Sequence, residues 1–284
     1  MVRHPLLVLL ALFALASCQN DQLSAPETLV VSVLPDQSRE ELTSRFAPLM
    51  SYLEATTGQS LTLVLADDYA TLLQSFIDGE VHLAFFGGAT FVQAEAAVNA
   101  DPLVMRDTDI AFRSCYVTRD DDPRSSLEDY RGGSFSFGSS LSTSGHLMPR
   151  YFMQRFGVIP EQLFSSIEHS RTHFETAQKV VSGSVEIGVM NCSILEEALS
   201  AGTLSDDQIR ILAKTPAYVN YTWAIQDHIN EDLKTALVDA FLALDIARAE
   251  HEAILMPLRA HVFLPAGHAD FEDIRRAVLA LSED

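Results

Sequence analysis

A two-lobed α/β fold with a ligand cleft at its hinge follows from three features of the sequence. β-Branched apolar runs alternate with helically spaced apolar residues from residue 28 onward. The alternation runs in two series, parted by the loop Asp120-Asp121-Asp122-Pro123. A long helical tail then closes the chain. Repeated strand–helix units predict mostly parallel sheets covered on both faces. A helical tail returning to the first sheet makes two lobes, with the chain crossing between them near 117–119 and 214–218. Lobe one then comprises 28–117 plus 218–284, and lobe two 118–217. The carboxyl ends of the strands, at the cleft, are where a small ligand sits in such folds.

The elements follow in order. The apolar run at 29–34 stops at Pro35-Asp36 and reads as a strand; Leu42, Phe46, Leu49, Met50 and Leu53 then recur at helical spacing over 40–56. The pattern continues as strand 61–65, helix 68–77, strand 81–86, helix 88–98, and strands near 103–106 and 110–118. The second series reads as strand 134–137, helix 145–155, strand 164–168, helix 173–181, strand 185–190, helix 192–200 and strand 209–214. A strand at 221–226 precedes helical stretches at 230–247, 249–257 and 270–282, with no further strand expected between them.

Composition narrows the function. The chain has 284 residues and 39 Asp plus Glu against 19 Lys plus Arg, a formal charge of −20. Nucleic-acid binding needs a basic face that releases counterions, so that class is excluded. A hydrophobic fraction of 48% with 20% charged residues marks a globular chain. Met1-Val2-Arg3-His4 is a short positive segment, and Leu6 to Ala16 is an unbroken apolar run of eleven residues. That length suits an export signal at 1–17 and falls short of the ~20 residues of a membrane span. The run ends in Leu15-Ala16-Ser17-Cys18, which resembles the bacterial lipobox; Cys18 is the expected lipidated N-terminus, followed by a flexible tether at 18–27. Localisation is then periplasmic or cell-surface, with lipid the only link to a membrane.

Several segments resemble the phosphate, phosphite and phosphonate substrate-binding lipoproteins of ABC importers. They are Val33 to Gln37, Ala66 to Tyr69, Gly79 to Gly87, Phe135 to Tyr151 with Ser142-Thr143-Ser144-Gly145, and Gly183 to Asn191. The resemblance implies a periplasmic-binding-protein fold of the type II kind, a small oxyanion as ligand, an ABC permease as partner, and no cofactor. Ser142 to Gly145 occupies the turn from a strand into a helix, where unpaired N–H groups and hydroxyls can hold an anion. Neutral dipoles of this kind reconcile anion binding with an acidic chain. Capping of the helix by Ser142 or Thr143 is the alternative role, compatible with the first. By resemblance, Tyr69 matches a cleft tyrosine and His173 a ligand-contacting histidine. His169 and His173 straddle a strand-to-helix break that spoils a metal pair, so no metal site is expected.

The chain departs from the family pattern at Gly87-Gly88-Ala89, where Phe-Gly-Pro is usual, and at Cys192, where an aromatic is usual. Cys115 lies on the strand leading into the first crossing, so both thiols are candidates to reach the cleft. They are either one disulfide or two thiols. Free thiols are favoured, because a bridge between the lobes would restrict closure. Free cleft thiols would suit trivalent arsenic and make an alternative function: an arsenite- or other oxyanion-binding sensor working with a histidine kinase. An enzyme is not expected. Gly-x-Ser-x-Gly, Ser-x-x-Lys and His-Glu-x-x-His motifs are absent, and a Ser144–His173 relay is the one arrangement to examine.

Overall fold

The computed structural model describes residues 26–282. The export signal, Cys18 and most of the 18–27 tether therefore lie outside the described residues. The strands are β1 (Thr28–Val33), β2 (Ser60–Val64), β3 (Leu83–Phe86), β4 (Asp101–Arg106), β5 (Ser114–Arg119), β6 (Ser134–Phe137), β7 (Ser166–His169), β8 (Ile187–Asn191), β9 (Ile209–Lys214), β10 (Thr222–Ile225) and β11 (Phe263–Pro265). The helices are α1 (Arg39–Thr57), α2 (Tyr69–Ile77), α3 (Gly88–Val98), α4 (Met148–Arg155), α5 (Pro160–Leu163), α6 (His173–Val181), α7 (Cys192–Ser200), α8 (Glu231–Leu242), α9 (Ala249–Leu258) and α10 (Glu272–Ser282).

Two sheets result, with strand orders β11-β4-β10-β3-β1-β2 and β7-β6-β8-β5-β9. In each, three strands pair in parallel and one antiparallel strand is inserted beside them: β10 between β3 and β4, β5 between β8 and β9. Each inserted strand is the first one after a crossing between the lobes. The run expected at 110–118 as the last strand of lobe one is therefore β5, the first strand of the second sheet. The first crossing lies at 107–113, several residues earlier than expected. The helical tail also contains a strand that the sequence reading missed, β11, paired antiparallel to β4 at the sheet edge.

Side-chain alternation builds the cores. Along β5, Cys115 and Val117 join an apolar cluster with Met190 and Val180 on one face, while Tyr116 packs with Phe135, Ile187 and Val189 on the other. The first lobe centres on Trp223, Phe46, Phe85 and Phe241, whose ring centroids lie 5.2–5.9 Å apart in the contacting pairs. Leu147, Met148 and Tyr151, which follow β6 in the second lobe, belong to the first lobe's apolar cluster. The lobes thus meet over a packed interface as well as through the chain crossings. No helix among the described residues is long and apolar enough to cross a membrane.

Candidate ligand-binding site between the lobes

The Ser-Thr-Ser-Gly segment folds as the sequence predicts, with one refinement: residues Thr143–Leu147 form a π-helical turn that runs into α4. Gly138 and Gly145 approach so closely that a Cβ on either would sit 3.0 Å from the other's Cα, while the Gly138 N–H donates to the Gly145 carbonyl at 2.8 Å. A side chain at either position would push the turn off the end of β6. Ser142 caps the turn by accepting from the Gly145 N–H at 2.9 Å.

The three hydroxyl oxygens each face an N–H. Ser142 Oγ takes Gly145 N–H, Thr143 Oγ1 takes Ala89 N–H at 2.9 Å, and Ser144 Oγ faces His173 Nε2 at 3.5 Å, long for a hydrogen bond. An oxygen that accepts from a fixed donor is free to turn its own hydrogen elsewhere. Three O–H donors, all on residues at most 3% exposed, are thereby gathered on one buried turn.

His173 is the first residue of α6, capped by Thr172, and its Nδ1 accepts the Asn191 N–H at 3.3 Å. That network assigns the neutral tautomer with hydrogen on Nε2, a donor directed at Ser144. Burial foremost holds its pKa down to about 4, with Asp36 raising it and Arg259 lowering it. The same tautomer excludes a Ser144–His173 relay: Nε2 has no lone pair to accept the serine proton, and no carboxylate orients Nδ1. A stability consequence follows. The folded pKa is depressed below the ordinary ~6.5, so the unfolded chain takes up a proton that the folded one refuses. His173's contribution is complete above about pH 6.5 and lost as pH falls toward 4. Denaturant unfolding should show wild type losing stability over that window more steeply than His173→Gln; parallel pH profiles would contradict this.

Lobe one supplies the opposite wall. Tyr69 opens α2 after its cap Asp68, and its phenol reaches Ser142 across the cleft. Burial, followed by the nearby Asp36, raises its pKa well above the usual phenol value, so it stays protonated and can donate. The N-terminus of α3 also faces the cradle. Its cap is Gly87, whose added Cβ would meet Thr143 Oγ1 at 3.0 Å, and Gly88 N–H donates to Asn220 Oδ1 at 3.3 Å. Asn220 is fully buried, and its Nδ2 has no hydrogen-bond partner. A buried donor left unpaired costs stability unless an acceptor arrives. Tyr221 donates to Asp36 at 2.8 Å and receives Asn191 Nδ2 at 3.4 Å.

Tyr69, Ser142, Thr143, Ser144 and His173 are thus brought together. Cys115 and Cys192 are not part of this wall: they form a disulfide, with Cα atoms 5.0 Å apart, and both side chains lie in the second lobe's apolar core. The expectation of free thiols is corrected, and its physical basis with it. Because β5 belongs to the second sheet and pairs with β8, the bridge lies within one lobe and leaves the hinge free. Asp36, Asn191, Asn220, Tyr221 and the Gly88 and Ala89 amides were not anticipated individually. Gly88-Ala89 does stand at the noted departure from Phe-Gly-Pro, which here leaves an N–H where proline has none.

Two lobes of this topology, a buried cradle of hydroxyl and amide donors between them, and two crossings define a solute-binding protein. A family model for the periplasmic substrate-binding protein of phosphonate ABC transporters matches residues 31–271, and the chain belongs to that family. It is 28% identical over 263 residues to a probable ABC transporter phosphite-binding protein, PhnD1, of Prochlorococcus marinus, covering 88% of this chain and 89% of that one. It is 25% identical over 271 residues to the phosphate-import protein PhnD of Mycolicibacterium smegmatis, covering 88% and 84%. Among solved structures, PhnD1 of Prochlorococcus marinus in complex with methylphosphonate superposes with a TM-score of 0.84 at 27% identity, covering 91% of this chain and 99% of that one. A binding protein of a phosphonate ABC transporter from Pseudomonas aeruginosa shares the fold, with a TM-score of 0.82 at 22% identity and coverage of 90% and 87%. These relatives are binding proteins and not enzymes.

Proposed function

We propose that the protein captures a small phosphorus oxyanion of the phosphite, phosphate or phosphonate class and presents it, lobes closed, to an ABC permease. The observation that carries this reading is the grouping of the Ser142, Thr143 and Ser144 hydroxyls on one buried turn, the first two with their oxygens taken by backbone N–H groups and their own hydrogens left to donate. His173 Nε2–H and Tyr69 add donors, and the unpartnered Asn220 Nδ2 completes the cradle from lobe one. Donors from both lobes favour the closed form when an anion is bound, which is the basis of ligand-driven closure. Titration calorimetry against phosphite, phosphate and methylphosphonate, with sulfate alongside, tests the reading. Binding of at least one phosphorus oxyanion at micromolar or tighter affinity supports it; heat from none of them contradicts it.

The alternative, an arsenite-responsive sensor paired with a histidine kinase, rested on two free thiols. The bridged pair removes that support, because the thiolate is the metal-binding form of cysteine.

Cys18 is proposed as the lipidated N-terminus, the protein being anchored on the outer side of a membrane in the periplasm or at the cell surface. Cys18→Ser is expected to release the protein into the soluble fraction with its melting temperature unchanged. A Cys18→Ser protein that still sediments with membranes would contradict the anchor.

A further inference from the structure

The cradle adjoins a second space. Asp36, Asn191 and Tyr221, which edge the cradle, also line a cavity of about 60 Å³ between the lobes. Three arginines line it, Arg45, Arg106 and Arg259, and Asp36 is its one acidic lining residue among those described. Arg106 is a fixed wall. Its Nε and Nη2 each hold Asp109 at 2.7 Å, its Nη1 holds the Leu258 carbonyl at 2.8 Å, and its guanidinium lies 5.0 Å from the centroids of both Phe85 and Tyr221. Arg45 and Arg259 come from α1 and from the residue after α9, and both pair with Glu197 of α7 across the cleft. Asp109 balances Arg106, whereas Arg45 and Arg259 share the single carboxylate of Glu197, so that pair is one negative charge short. Arg259 Nε is buried with no hydrogen-bond partner. Burial foremost, then Arg45 and Arg106, hold the Arg259 pKa down to about 9, against Asp36 and Glu41, which raise it.

A buried guanidinium donor left unpaired beside a cavity calls for an acceptor, and an acidic one also supplies the charge that Arg45 and Arg259 lack. At ~10–15 Å³ per water-sized group, 60 Å³ admits about four to six such groups, the size of a carboxymethyl arm. Asn191, which lines the cavity, also holds His173 through its N–H, so an arm on a ligand seated in the cradle can extend into this space.

We propose that Arg45 and Arg259 form a subsite for a second acidic group, so that the preferred ligand class is a phosphonate bearing a carboxylate on a short arm. The proposal rests on the oxyanion reading of the cradle. An ammonium on the same arm would meet Arg45 and Arg259, which share one carboxylate, with Asp36, already holding the Tyr221 hydroxyl, as the acidic lining residue, so aminoalkylphosphonates are disfavoured.

Calorimetry with methylphosphonate, carboxymethylphosphonate and 2-aminoethylphosphonate on the full mature chain tests it. Carboxymethylphosphonate is expected to bind at least about tenfold more tightly than methylphosphonate, and the aminoethyl compound more weakly than either. In Arg259→Gln the carboxymethyl-to-methyl ratio should fall toward one; Arg45→Gln gives the same readout should the first variant misfold. Using a ratio removes any general effect of these substitutions on closure. Equal affinities in wild type, a ratio unmoved in the variants, or an aminoethyl preference would overturn the subsite. If none of the three ligands binds, and phosphite and phosphate also fail, the cradle reading itself is overturned.

Discussion

Replacing Cys115 and Cys192 together by Ala is expected to lower the unfolding free energy by about 2–5 kcal/mol while leaving ligand affinity nearly unchanged. The bridge joins residues 77 apart in sequence, so its removal frees a long loop of the unfolded chain, and loop-closure entropy grows with that length. Both side chains are buried among Val117, Val180, Met190 and Leu195, so two Ala residues also leave unfilled volume in the second lobe. The measurement is denaturant unfolding of the native, reduced and double-variant proteins. Reduced and variant proteins should unfold at similarly lowered midpoints, and methylphosphonate or phosphite should still bind both. Loss of binding with folding intact would mean that a sulfur takes part in ligand recognition.

The second large effect concerns the cradle. Each of Ser142→Ala, Thr143→Ala and Ser144→Ala should weaken binding by about 1.5–3 kcal/mol, the scale of a hydrogen bond to a charged group, or roughly 10- to 150-fold. The three should differ in their side effects. Ser142→Ala also removes the cap on Gly145 N–H and should lower stability by ~1 kcal/mol. Thr143→Ala releases the Ala89 amide of the opposite lobe, so it should loosen closure as well as binding. Ser144→Ala, whose oxygen has only the long contact to His173, should affect binding with the least change in stability. Alanine variants with full affinity would reduce these residues to structural capping.

The cradle was legible in the sequence because it is local: a strand, a Gly, a run of hydroxyl residues and a helical pattern all fall between Ser134 and Arg155. Its opposite wall was not. Gly88 and Asn220 are 132 residues apart, Tyr221 and Asp36 are 185 apart, and the arginines gather from α1, the end of β4 and the end of α9. No periodicity or motif reports pairings of that kind. The strand order exposes the same limit. The residues 114–119 look like a strand from their alternation, yet which sheet they join depends on pairing with β8 and β9, and misplacing them made the Cys115–Cys192 bridge look like a staple between lobes. The strand Phe263–Pro265 escaped because three residues ending in proline are too short to show a period of two. The α6 and α7 boundaries, by contrast, fall where the sequence puts them, since Thr172 and Asn191 are local caps beside amphipathic runs.

A crystal structure of the mature protein with methylphosphonate bears most directly on the central claim. The phosphonate oxygens should lie within about 2.6–3.2 Å of the Ser142, Thr143 and Ser144 hydroxyls, with His173 Nε2 and a lobe-one donor also in reach, and the methyl group should point toward Asp36 and Tyr221. A ligand seated away from all three hydroxyls would contradict the account.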